Sequence, residues 1–207
     1  MEMVLDIYKL PYDPAYPVLC MDESPKQLIK ETKQPIQARP GNVLKYDYEY
    51  ERCGVCSIFM ASEPLKGKRY VKITERKTKR EWAFFIEEIS NHYKDAKRII
   101  LVMDNLNTHK GGSLYEVFEP ERAKLLWDRF QFVYTPKHGS WLNMAEIELN
   151  VLIGQCLNRR IDKLSMVIRE CEAWQNHRNN LNARINWQFT SSDARIKLKR
   201  LYPTLQC

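Results

Sequence analysis

Apolar residues in this chain come in short runs that stop at a charge or a backbone breaker, and these runs alternate with stretches of helical spacing. Val18-Leu19-Cys20-Met21, entered from Pro17 and closed by Asp22, reads as a buried strand. Residues 24–45 hold Pro25, Pro35, Pro40 and Gly41, too many breakers for a long regular element, and predict a surface connection. Residues 45–52 alternate Tyr46, Tyr48 and Tyr50 against Asp47, Glu49 and Glu51, the period of a strand, with Gly54 marking a turn. Two further strands, 56–62 and 68–75, joined by a turn over 64–67, complete an antiparallel meander.

Helical spacing takes over at Thr78-Lys79-Arg80-Glu81, a capping box that leads into Trp82, Phe85, Ile86, Ile89 and Tyr93 on one face. Ile99 to Met103 is a run of five apolar residues closed by Asp104, as expected of a central strand covered on both faces. Ser113-Leu114-Tyr115-Glu116 resembles a second capping box, and Pro120 can open a helix carrying Leu125, Leu126, Trp127 and Phe130. A short strand at 131–135 and a loop at 136–139 follow, and Ser140 caps a helix to about Cys156 that holds Glu146. Asp162 can cap the next helix, and Thr190 to Asp193 begins a last, basic one with Arg195, Lys197, Lys199 and Arg200.

Acids therefore close the first and fourth core strands, and another lies inside a late helix. Functional groups gather where strand ends open into a crevice, so Asp22 and Asp104 can be neighbours although 81 residues separate them. A helix packed across the sheet can bring Glu146 to the same place. Three converging carboxylates repel one another unless cations neutralise them, and Mg²⁺ or Mn²⁺ prefers such hard oxygen donors. Two ions about 3.5–4 Å apart serve in-line displacement at a phosphodiester. Spacing alone leaves Glu148 as a rival to Glu146, although two residues along a helix turn a side chain to roughly the opposite face. Glu23 adjoins Asp22 but points to the other side of the strand, toward a supporting or surface role.

Composition narrows the setting. Hydrophobic residues make up 44% and charged residues 29% of 207, the balance of one folded domain. A net charge of +7 favours a polyanionic partner. No apolar run exceeds five residues, against about 20 for a bilayer span, and no secretory signal opens the chain, so a cytoplasmic, nucleoid-associated protein without membrane contact is expected. The six cysteines read as reduced thiols; Cys53 and Cys56 have zinc-knuckle spacing but no second pair.

Three blocks resemble the DDE transposases of bacterial insertion sequences, in particular the insertion sequence 630 family related to mariner elements. They are Tyr16-Pro17-Val18-Leu19-Cys20-Met21-Asp22-Glu23, Leu101-Val102-Met103-Asp104-Asn105-Leu106-Asn107-Thr108-His109 and Thr135-Pro136-Lys137-His138-Gly139-Ser140-Trp141-Leu142-Asn143-Met144-Ala145-Glu146. The resemblance implies an α/β, ribonuclease H-like fold with a mixed five-stranded sheet flanked by helices. It assigns the family's triad to Asp22, Asp104 and Glu146, choosing Glu146 over Glu148. It implies cleavage of double-stranded DNA at transposon ends with two Mg²⁺ or Mn²⁺ ions, then attack of the freed 3′-hydroxyl on target DNA, usually at a TA dinucleotide. Lys137 and His138 are expected to contact DNA, Asn143 to contact DNA, orient the Glu146 carboxylate or help cap its helix, and Asn105 and His109 to shape the surroundings of the metal ligands.

A homodimer or a full-length transposase is the expected protein partner. Residues 1–15 are read as a linker remnant and 16–207 as the catalytic domain, with the helix-turn-helix region of full-length members absent. A ribonuclease H-like nuclease acting on RNA–DNA hybrids, or a non-catalytic regulator that pairs with full-length transposase, are the alternative functions.

Overall fold

A computed structural model describes residues 1–137 and 139–202. Five strands, β1 (Val18–Glu31), β2 (Tyr50–Glu63), β3 (Lys68–Thr74), β4 (Ile99–Met103) and β5 (Phe130–Tyr134), form one mixed sheet in the order β3-β2-β1-β4-β5. The β1-β2-β3 meander is antiparallel, whereas β4 and β5 run parallel to β1 and to each other. Helices α1 (Glu2–Tyr8), α2 (Lys79–His92), α3 (Gly111–Tyr115), α4 (Pro120–Arg129), α5 (Ala145–Leu152), α6 (Leu164–Asn180) and α7 (Ser191–Lys197) flank it. No described helix is long and apolar enough to cross a membrane.

Strand alternation divides the core. Leu19, Met21, Phe59, Ala61, Leu101 and Met103 face α2, α3 and α4, with Trp82, Phe85, Ile86 and Ile89 fully buried against them. On the opposite face, Cys20, Ile100 and Val102 meet Val4 and Leu5 of α1, Leu142, Met144, Ala145 and Ala194 of α7. Ile58 and Met60 meet Leu149 and Leu152 of α5 and Val167 and Trp174 of α6. All five residues of β4 are buried, because helices cover both of its faces.

Local signals in the chain find their elements. Thr78 caps α2 by accepting from the Arg80 amide, with Glu81 bonded to the Thr78 hydroxyl. Pro120 opens α4, and Thr190 and Asp193 form a reciprocal capping box on α7. In the turn between β2 and β3, Gly67 has φ +71°, and a Cβ there would stand 2.5 Å from the Asn182 carbonyl carbon, so only glycine fits.

Other expectations need correction. Residues 1–15, read as a linker remnant, supply α1, whose Val4 and Leu5 are fully buried. β1 continues to Glu31, through Pro25, because it pairs with β4 only over Val18–Cys20; beyond that one edge is open and a proline is tolerated. Of the strand expected over 45–52 only Tyr50, Glu51 and Arg52 are in β2: the ladder ends at Glu31 opposite Tyr50, leaving Tyr46 and Tyr48 exposed with no sheet face to cover. Gly54 makes no turn either; at φ +110° it sits within β2 opposite Leu28, where the register slips in a bulge.

Helix starts shift as well. Gly111, not Ser113, opens α3, since the Ser113 hydroxyl donates backward to the Thr108 carbonyl. Lys163 rather than Asp162 stands at the N-cap of α6. Ser140 starts only a 3₁₀ turn; Asn143 is extended, and α5 runs from Ala145 before passing into a π-helical turn over Ile153–Leu157.

Candidate active site

Asp22 and Asp104 each lie two residues beyond Cys20 and Val102, the last paired residues of β1 and β4 (22 − 20 and 104 − 102). Equal distance past a parallel pair puts the two carboxylates side by side, on the face shared with Cys20 and Val102. Thr135 continues β5 next to them, its amide donating to the Met103 carbonyl at 2.9 Å. An open depression of about 530 Å³ begins here, lined by Asp104, Asn105, Thr135, Lys137 and Ser140 among others.

Glu146 enters from the first turn of α5. Its helix is tied to β1 by Asn143, whose Nδ2 donates to the Met21 carbonyl at 2.7 Å while its Oδ1 accepts from the Ala145 amide at 3.1 Å. Asn143 is 2% exposed. Buried and bonded to backbone at both ends of its amide, Asn143 positions the helix that carries Glu146 rather than presenting an exposed group to DNA. Glu148, the rival acid, points to the other side of α5. There it is buried between Arg69 Nε and Arg178, each 3.0 Å away.

The electrostatics of Asp22 mark the three candidate acids as neighbours. Burial pushes the Asp22 carboxyl up to about 6, and the negative charges of Asp104, Glu146 and Glu23 push the same way against a hydrogen bond from the Glu23 amide. Among the described residues neither Asp22 nor Glu146 has a lysine or arginine partner, whereas Glu148 has two arginines. Hard oxygen donors carrying uncompensated negative charge suit a divalent cation. Among the described residues no three Asp, Glu, His or Cys side chains yet close around one point, so the acids are neighbours in charge rather than a finished cage.

His109 is fully buried against Asp104, with Nδ1 2.9 Å from Oδ1. Burial lowers the pKa of its imidazole, but hydrogen bonds to Asp104 and Glu23 prevail and hold it at about 9. Asn105 is exposed on the wall of the depression, as is Lys137 on its rim. His138 lies outside the described residues. Sequence reasoning underrated Glu23, which is buried against His109 and Lys77. Its parity does put it on the face that α2 covers, where a buried acid needs a partner. Nothing local in the sequence names Lys77 or His109 as that partner.

A family model described as DDE superfamily endonuclease matches residues 17–168. Among solved structures, the Mos1 mariner paired end complex with Mn superposes with a TM-score of 0.60 at 15% identity, over 88% of this chain and 54% of that one. The Mos1 strand transfer complex gives 0.58 at 13% identity, over 88% and 54%. A pre-cleavage Mos1 transpososome gives 0.55 at 13%, over 90% and 61%. At such identities the likeness is one of fold, and the mixed five-stranded sheet with its flanking helices is the ribonuclease H-like fold expected from the sequence. This chain spans about half the length of the structures it matches, 54% in the first two. No curated protein matches the sequence.

Proposed function

Because this chain belongs to the DDE superfamily endonucleases, we propose that it is the catalytic domain of a transposase of the insertion sequence 630 type. In this reading it cuts double-stranded DNA at transposon ends and joins the freed 3′-hydroxyl to target DNA. One observation carries the reading. Asp22 inside β1, Asp104 just after β4 and Glu146 on α5 come to one face, where burial and their mutual charge raise the Asp22 carboxyl to about 6. Relatives of the same fold are described in paired end complexes with Mn and with Mg, which supports a divalent cation here.

Asp22, Asp104 and Glu146 are the residues that would hold two Mg²⁺ or Mn²⁺ ions. Bound there, the ions supply Lewis-acid stabilisation of the attacking and leaving oxygens of an in-line displacement. The protein's own part is orientation. Asp22 is carried by a strand with β2 on one flank, Asp104 is gripped by His109, and Asn143 fixes the helix that presents Glu146. Lys137, exposed on the rim, meets a phosphate of the scissile strand as a point charge. A second copy or a full-length transposase is the protein partner in this reading.

The test is strand joining in Mg²⁺ or Mn²⁺, using pre-cleaved ends of the element that encodes the chain and a plasmid target. Asp22→Asn, Asp104→Asn and Glu146→Gln should each lower joined product by at least about 100-fold, more than loss of a supporting residue costs. Unchanged joining in any of the three would remove that residue from the site. Degradation of an RNA–DNA hybrid without joining would favour a ribonuclease H-like nuclease instead.

A further inference from the structure

Glu23 leaves β1 on the face opposite Asp22, and there its side chain is 1% exposed with both oxygens engaged. Oε1 lies 3.0 Å from His109 Nε2, and Oε2 lies 2.7 Å from Lys77 Nζ. His109 stacks on Trp82, and its Nδ1 lies 2.9 Å from Asp104 Oδ1 and 3.0 Å from the Asp104 carbonyl. Both ring nitrogens face acceptors alone, so the ring donates in both directions. A continuous chain thus runs from Lys77, 41% exposed just before α2, through Glu23 and His109 to Asp104.

Stability alone does not call for such a chain. An apolar pair of similar volume would fill the space beside Trp82 without the cost of taking a carboxylate and an imidazole out of water. Its outcome is directional. Asp104 Oδ1 is buried in charge contact with His109 Nδ1, whose aligned hydrogen bond goes to the Asp104 carbonyl, while 30% of the Asp104 side chain stays exposed, so Oδ2 is the oxygen left to face a cation.

We propose that Glu23 and Lys77 are positioning residues for Asp104, acting through His109: they hold the imidazole so that it takes Oδ1 and leaves Asp104 a one-oxygen ligand of fixed direction. The proposal rests on the reading of Asp22, Asp104 and Glu146 as metal-holding carboxylates.

Mn²⁺ binding to the full chain without DNA, followed by electron paramagnetic resonance, tests it. Glu23→Gln removes the charge at nearly constant shape, and its Mn²⁺ affinity should fall about 10-fold. Lys77→Met, which frees Glu23 Oε2, should fall in the same direction by less. The Mn²⁺ concentration for half-maximal joining should rise in step, while the rate at saturating Mn²⁺ changes little. A brace that only stabilises the fold would lower the unfolding midpoint and leave Mn²⁺ affinity unmoved, and that result overturns the proposal. If Glu23→Gln does not fold, Lys77→Met at its half-exposed position carries the same decision. A wild-type chain that binds no Mn²⁺, or binding that survives Asp104→Asn undiminished, overturns the metal-site reading and this proposal with it.

Discussion

Glu146 and Glu148 stand two residues apart on α5 and meet opposite surroundings. Glu148 is 1% exposed between Arg69 and Arg178, and Arg69 also donates to the Ala183 carbonyl at 2.6 Å, so this acid ties α5 to β3, α6 and the segment after it. Burial holds the Arg69 pKa below its ordinary value, with the Glu148 charge acting against that. Removing one charge of such a group leaves the others buried and uncompensated, at about 3–5 kcal/mol. Glu148→Gln should therefore lower stability by that order in urea denaturation followed by tryptophan fluorescence. Glu146→Gln should leave the midpoint where it is or raise it, because it removes a like charge near Asp22. A helix with an acid at each of two such positions cannot be sorted by period alone. The arginines that decide the matter lie 79 and 30 residues away in sequence.

At the scale of elements, α1 shows how a short terminal segment becomes part of a core. Its seven residues are too few for a helix to hold itself, and packing of Val4, Leu5 and Ile7 supplies the stability. A clasp with α7 and the residues after it secures the outer side. Arg195 donates to both Glu2 oxygens at 2.8 and 2.7 Å, the Tyr202 hydroxyl donates to Glu2 at 2.8 Å, and Ser191 donates to Asp6 at 2.5 Å. Hydrogen bonds from Arg195, then Tyr202, hold the Glu2 carboxyl at about 2, below its ordinary 4.5. A carboxyl depressed in the folded state contributes fully above its ordinary value and loses that contribution as pH falls toward about 2. Carboxyl carbon shifts in an NMR titration should place the Glu2 midpoint near 2, and Arg195→Ala should return it toward 4.5. A midpoint already near 4.5 in the unaltered chain would mean the clasp does not form.

Across the whole molecule, the sheet and α5 together hold two kinds of acid. Glu23, Glu63 and Glu148 are buried with donors assigned to them, whereas Asp22 and Glu146 have no basic partner among the described residues. A cation bound only by the folded state shifts unfolding by mass action. At about 100 times its Kd, Mn²⁺ should add about 2.7 kcal/mol and raise the midpoint of thermal unfolding by about 5–10 °C for a domain of this size. Differential scanning calorimetry against a chelator baseline would show it, and Asp104→Asn should abolish most of the rise. An equal rise in the unaltered chain and in Asp104→Asn would place the cation elsewhere.

Burial of Ile99–Met103, the Thr78 cap of α2, proline at the head of α4 and the capping box at Thr190 were all legible in the chain. Each depends on side chains and backbone groups within a few residues of one another, and local sequence encodes such interactions directly. Asp104 at the end of a strand and Glu146 in a helix were legible for the same reason, whereas Asp22, expected to close its strand, lies within β1, which runs on to Glu31. Tertiary structure alone decided that Glu23 meets His109, that Glu148 meets Arg69 and Arg178, that Asn143 is spent on the Met21 carbonyl, and that β1 runs on through Pro25. Those outcomes follow from sheet register and from which helix covers which face. They join residues far apart in the chain, and no pattern within a short window can name the partner.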